Sequence, residues 1–412
     1  MLAWAAVVAY GTFNGWWHRA IAPSGDTRAF AASAVRALDS QPHGDLALVL
    51  IQKGEVAAEH YSGREQTVDR DTVFQTASMS KWITALGVMS LVQQGAWELD
   101  APASRYVKRW SLPASAFDHQ GVTVRRLLSH TAGLTDGLGF GDYRLDEALP
   151  TVEESLRHPR ASSGRDVAIQ LGYAPGSDWR YSGGGYLLLQ QALEERAQEP
   201  FEAFMQRTIL KPLELTRSSF ADAQGALNVA RPYDAENGSA ERFHYAAAAA
   251  TGFSTSAFDM IRLVRAVSNA PPSAVPFNAT TLKSMRVPHG HQFGADIWGL
   301  GTMLYAPTAS GDYVYGHDGQ NEPAINTAVR INPDNGDAII IFASGGRGPA
   351  TRIASEWTFW QTGVPDFLAF GGAIQEAMMP LGVGIVTVVV LTALFLWKSL
   401  RPRTEPTAPS AI

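Results

Sequence analysis

The sequence predicts an α+β fold in which a single antiparallel sheet is assembled from both chain ends, with a helical subdomain inserted between them. Three observations lead there. A hairpin pattern opens the folded region, helical periodicity occupies the middle, and a series of short β-rich runs returns near the end. Strands at both ends with helices between them place a cleft between sheet and helices.

The opening hairpin covers Asp45 to Arg64, with Leu46 to Ile51 as one strand, Lys53-Gly54 as the turn and Val56 to Tyr61 as the return. Apolar residues then recur at helical spacing over Met79 to Gln94, Tyr186 to Glu199, Phe201 to Ile209 and Phe258 to Val267. Strands are expected at Trp298 to Tyr305, Tyr313 to His317, Ile325 to Ile331 and Ala338 to Phe342, separated by Gly, Pro and Asn-Gly signals. Ala350 to Trp360 closes the pattern as a helix. No repeat or low-complexity tract interrupts residues 27–363, so one domain is expected there.

Composition narrows the function classes. The 46% apolar content supports a large core, and a net charge of −6 offers no basic surface for nucleic acid. With no cysteine in the chain, disulfides, thiolate metal sites and cysteine nucleophiles are excluded. Ala377 to Trp397 is a stretch of 21 residues without a charge, about 31 Å long as a helix and enough to span a bilayer core. Lys398, Arg401 and Arg403 follow it while Asp366 and Glu376 precede it, which places the tail in the cytoplasm and the main domain outside, on the periplasmic or cell-surface side. Leu2 to Trp17 is a second apolar stretch, signal-like but without a basic start, and it leaves cleavage and retention both open. The expected organisation is a signal-like or anchor segment over 1–26, the main domain over 27–365, a juxtamembrane segment over 366–376, a transmembrane helix over 377–397 and a cytoplasmic tail over 398–412.

The chemistry begins at Ala77-Ser78-Met79-Ser80-Lys81, where a serine and a lysine three residues apart share one face at the start of a helix. A serine hydroxyl needs a base to become a nucleophile, and a lysine in a partly buried site can lose its charge and act as one. Alone, the pair occurs often by chance and reads first as an N-cap serine with a surface lysine.

Further stretches change that balance. Leu127 to Leu134 (Leu-Leu-Ser-His-Thr-Ala-Gly-Leu), Pro175-Gly176 through Tyr181-Ser182, Lys211-Pro212-Leu213-Glu214-Leu215, Gly252 to Asp259 and Gly316-His317-Asp318-Gly319 follow in order. With these, residues 30–360 resemble the serine β-lactamase and penicillin-binding family, which includes class C β-lactamases, esterases and D-peptidases. The resemblance implies a β-lactamase/transpeptidase-like fold, Ser78 as nucleophile, Lys81 as its base partner, and Tyr181 exchanging protons with Ser78 and the leaving group. It further implies an oxyanion hole from the amides of Ser78 and Gln320, with His317, Asp318 and Gly319 on the substrate-lining strand, and no metal or cofactor.

Two departures stand out. Tyr181-Ser182-Gly183 has glycine where the family usually carries asparagine, so a substrate-facing amide is missing at Gly183. His317 and Asp318 stand where the family offers a lysine and a hydroxyl, and a carboxylate on that strand is expected to repel substrates bearing one. The resemblance places His130 in a structural turn away from the nucleophile and, with Gly252, makes Ala246 to Ala250 a tight packing approach to the sheet rather than a helix, while His289 and His291 are expected to lack the further ligands a metal needs.

The expected function is cleavage of esters or amides through an acyl-enzyme on Ser78, as an esterase or amidase on small acyl substrates or a D-residue-directed peptidase, outside the cytoplasm. The alternatives are a catalytically weak penicillin-binding sensor and a true β-lactamase or DD-carboxypeptidase.

Overall fold

Along the first strand of the sheet, apolar side chains fall on both faces, and each face finds its own cover. A computed structural model of the chain, describing residues 1–41, 43–137, 142–161, 167–221, 228–269 and 276–400, shows how. Arg401 and Arg403, with the rest of the expected tail beyond Leu400, lie outside the described residues. The strands are β1 (Leu46–Gln52), β2 (Glu55–Ser62), β3 (Val73–Gln75), β4 (Asp142–Arg144), β5 (Phe243–Tyr245) and β6 (Ser254–Ser256). They continue as β7 (Gly290–Gln292), β8 (Ala295–Trp298), β9 (Met303–Pro307), β10 (Tyr313–Asn321), β11 (Ile325–Ile331) and β12 (Ala338–Ser344).

Eight of them form one sheet in the order β2-β1-β12-β11-β10-β9-β8-β7, so the N-terminal hairpin adds to strands from the other end of the chain. β1 pairs antiparallel with β12, Leu46 opposite Ala343 and Leu50 opposite Ile339. Because side chains alternate along a strand, Leu46, Leu48 and Leu50 join Ile339, Ile341, Phe30, Ile353 and Trp357 in a layer formed by the Thr27–Asp39 and Pro349–Thr362 helices. Ala47, Val49 and Ile51 join Ile340, Phe342 and the helical insertion on the opposite face. Both faces are covered, which explains why β1 and β12 read as nearly unbroken apolar runs.

Two local expectations need correction, and one element was not foreseen. The strand foreseen over Trp298 to Tyr305 is two strands: Trp298 ends β8, Met303 begins β9, and the Gly299 amide closes a turn onto Thr302 O at 2.8 Å. Gly301 makes that turn with a φ of 69°, a conformation that disfavours any residue with a Cβ. Ala248–Thr251 is a short helix rather than an extended packing segment. The Thr27–Asp39 helix, capped where the Asp26 side chain accepts from the Ala29 amide, had no expectation at all.

The chain divides into two units, residues 20–368 and a second unit of residues 1–19 with 369–412. Within the second, Leu2–Phe13 and the 31-residue helix Phe370–Leu400 pack together, and the Trp4 indole donates to Pro380 O at 3.2 Å. The long helix is apolar and long enough to cross a bilayer.

Candidate active site

Ser78 lies in a 3-10 turn, Ala77–Met79, that runs directly into the Ser80–Gln93 helix. Ala77 carries a φ of 47°, sparsely populated for a residue with a Cβ, and the surroundings hold it there. Thr76 Oγ1 donates to Phe253 O at 2.8 Å, while Ser80 Oγ accepts from the Phe253 amide at 2.8 Å and donates to Ala77 O at 2.6 Å. The Phe253 backbone thus clamps the turn on both sides of the serine.

One helical turn on, the Lys81 side chain is fully buried. Its Nζ lies 3.3 Å from Ser78 Oγ and donates to Ala250 O at 2.9 Å. That carbonyl belongs to the Ala248–Thr251 helix, which also receives Thr84 Oγ1 at Ala249 O, 2.9 Å away. The alanine run read from sequence as packing therefore supplies the lysine's acceptor. Burial pushes the Lys81 pKa down to about 7, against a smaller upward pull from the Asp136 charge. Near neutral pH a large fraction of Lys81 carries a free lone pair beside Ser78.

Tyr181 Oη donates to Ser78 Oγ at 2.8 Å. Burial raises its pKa above the ordinary phenol value, so it stays protonated at neutral pH and is a proton donor in the resting site. His130 does not reach the serine. Its ring packs 4.4 Å from the Tyr181 ring, centroid to centroid, and its Nδ1 accepts from the Ser182 amide at 3.1 Å. Burial, and then the Lys81 charge, holds its pKa well below the usual value, so the imidazole is neutral. It props Tyr181 from behind.

Asp136 is the group that sequence reasoning missed. Its carboxylate accepts from Ser182 Oγ at 2.7 Å and from the Gly184 amide at 2.9 Å, at the first turn of the Gly183–Ala197 helix. Burial raises its pKa to about 6, and hydrogen bonds from Gly184 and Ser182 restrain the rise. Nothing local to Thr135-Asp136-Gly137 marks it, because its partners lie some 46 residues downstream. Gly183 opens that helix and donates its amide to Gly137 O at 3.2 Å.

Strand β10 supplies the facing wall, and its alternation sorts the expected residues. His317 and Gly319 share the face of Tyr315, which packs in the core beneath the helices. A Cβ on Gly319 would stand 1.9 Å from Thr76 O, so only glycine lets the strand lie this close to the Ser78 turn. His317 is buried with Nδ1 2.6 Å from Asp318 O, and burial drives its pKa down to about 3. It is uncharged.

Asp318 and Gln320 point to the other face. Arg330 binds both Asp318 carboxylate oxygens, one of them at 3.1 Å, and Tyr305 Oη donates to the same carboxylate at 3.2 Å. Arg330 also binds Asp366 at 3.0 Å. The expectation that Asp318 confronts a substrate is therefore overturned: its carboxylate is turned away from the cleft and neutralised. The Gln320 side chain lies 3.3 Å from Thr351 Oγ1 on the same outer face.

The Gln320 backbone is another matter. β9 pairs with β10 only from Tyr313 to Gly316, and beyond it the Asp318 amide turns toward the β9 side, onto Met303 Sδ at 3.3 Å. Amides two residues apart in a strand point the same way, so the Gln320 amide faces the edge that β9 leaves open, beside the Ser78 turn. The other expected pair, His289 and His291, lies off the site, and His291 Nδ1 is 2.6 Å from Asp296.

Comparison with known proteins agrees with this architecture. Esterase EstB of Burkholderia gladioli is 28% identical over 199 residues, 44% of this chain and 46% of the relative. Penicillin-binding protein 4* of Bacillus subtilis (strain 168) is 29% identical over 164 residues, 39% of this chain and 34% of the relative. The matched part of the chain thus spans less than half the length of these two curated relatives. The octameric penicillin-binding protein homologue from Pyrococcus abyssi superposes with a TM-score of 0.65 at 22% identity, over 80% of this chain and 76% of that one, and so shares the fold. The family model described as Beta-lactamase matches residues 31–361, and with most of the chain inside that match, this protein belongs to the β-lactamase family.

Proposed function

We propose that the protein is a serine hydrolase that cleaves esters or amides through an acyl-enzyme on Ser78, with its main domain on the outer side of a membrane. The observation that carries this reading is the convergence on Ser78 Oγ of a depressed-pKa amine at 3.3 Å and a protonated phenol at 2.8 Å. Neutral Lys81 takes the hydroxyl proton as Ser78 Oγ attacks the carbonyl carbon. The amides of Ser78 and Gln320 receive the oxyanion, a contribution of about 3 to 4 kcal/mol for one such donor elsewhere. Tyr181 gives its proton to the leaving group and regains one from protonated Lys81. Water then repeats the sequence on the acyl-enzyme, with Lys81 again as base, and frees Ser78. The outward placement of the domain draws support from Lys398, Arg401 and Arg403 after the apolar helix.

The test is intact-protein mass spectrometry after a fluorophosphonate probe, read beside turnover of p-nitrophenyl esters. Wild type is expected to gain one adduct and to turn over esters, and Ser78→Ala to lose both while still unfolding cooperatively. Full labelling of Ser78→Ala would remove the nucleophile assignment.

A further inference from the structure

The same face of β10 that brings Gly319 against the Ser78 turn carries Asn321 two residues on, about 7 Å further along the strand. Asn321 Nδ2 lies 3.2 Å from Asp142 Oδ1 and 3.2 Å from Tyr245 Oη. Asp142 stands opposite Tyr245 in the β4–β5 ribbon, and Tyr245 precedes by three residues the Ala248–Thr251 helix that holds Lys81. These contacts put the Asp142 carboxylate beside the end of β10, one residue past Gln320, and beside the strand that leads into the Lys81 support.

Its chemistry there is incomplete. Among the described residues no lysine or arginine lies within salt-bridge distance of Asp142. Arg160 acts on it only at longer range, being placed 3.6 Å from Glu147 and over the Tyr143 ring. A carboxylate has about four lone-pair positions to satisfy, and among the described residues the Asn321 amide fills one of them. Burial raises its pKa to about 6, with the Asn321 hydrogen bond and the more distant Arg160 charge pulling against the rise. Asn321 and Tyr245, each bonded to its neighbours, hold the group in place.

We propose that Asp142 is the specificity-determining anion of this site and that it receives the ammonium group of a substrate whose acyl chain carries a primary amine. This inference rests on Ser78 being the nucleophile. It replaces the selectivity once expected of Asp318 with one from a different residue. The ammonium donates to the free carboxylate oxygen, and the acyl carbonyl lies between Ser78 Oγ and the Gln320 amide.

The experiment compares kcat/KM for p-nitrophenyl esters of straight ω-amino acids of two, four and six carbons with their methyl-terminated isosteres, on the full-length chain. Wild type is expected to favour at least one amino ester over its isostere by about tenfold, with the preference falling as salt rises. Asp142→Asn is expected to reduce that ratio to near one, and Asp142→Glu to restore it at a different chain length. A wild type without preference at any length, or a ratio in Asp142→Asn within about twofold of wild type, overturns the proposal. The salt dependence is read on wild type, so it decides the matter even where Asp142→Asn does not fold, and a preference unmoved by salt also overturns it. Failure of the nucleophile reading has another signature, loss of fluorophosphonate labelling and of turnover for both members of every pair.

Discussion

Lys81 links burial to activity at the scale of a single residue. Its pKa falls to about 7 because the ammonium is removed from water. The productive form is the unprotonated one, so acylation rises as pH climbs through about 7 and levels above it. The measurement is kcat/KM for a neutral ester between pH 5 and 9, before alkaline hydrolysis intrudes. Lys81→Ala is expected to erase that limb and cut acylation by on the order of 10³-fold or more. Asp136 raises the Lys81 pKa by its charge, so Asp136→Asn is expected to move the limb to lower pH, a displacement that general destabilisation does not produce. Ser78 and Lys81 were legible because three residues along one helix decide that they meet. Asp136 was not, since its bond to Ser182 depends on a loop folding back over 46 positions.

Strand β10 does two jobs at the scale of an element, one on each face. Its inner face carries Gly319 against Thr76 O, and Gly319→Ala is expected to force the strand away from the Ser78 turn. Moving the Gln320 amide off the oxyanion should lower kcat by about 10²-fold or more, with fluorophosphonate labelling slowed in parallel as the check. Its outer face binds Asp318 to Arg330, which is fully buried and also holds Asp366. Arg330→Met strands two carboxylates and is expected to cost about 3–5 kcal/mol of stability, read by urea unfolding of the detergent-solubilised chain. The strand itself was visible in the sequence from Tyr313 to His317, but its continuation to Asn321 was not, because His317-Asp318-Gly319-Gln320 has no β propensity of its own and is extended by pairing with β11.

At the scale of the whole molecule, the apolar helix Phe370–Leu400 follows the folded unit that ends at Leu368. Removal of residues 1–19 and 369–412 is expected to release active protein into the soluble fraction, whereas the full chain sediments with membranes and needs detergent. Protease added to intact cells or spheroplasts is expected to cut the main domain while an epitope at residue 412 survives, and the reverse pattern would invert the orientation. One sheet assembled from both chain ends could be anticipated, since runs at both ends with helices between them leave few alternatives, whereas the order of its strands came from the tertiary structure.

The sequence by itself determined the sheet drawn from both termini, the helical insertion, the apolar C-terminal helix and the placement of Ser78 beside Lys81. Each depends on spacing along a few residues or on composition over twenty. Tertiary structure alone decided that Asp318 faces away from the cleft onto Arg330, that Ala250 O rather than a side chain holds Lys81, and that Asp142 stands at the end of β10. The face a strand residue presents is set by register against a neighbouring strand, and β10 takes its register from β11 while its open edge is set by where β9 stops.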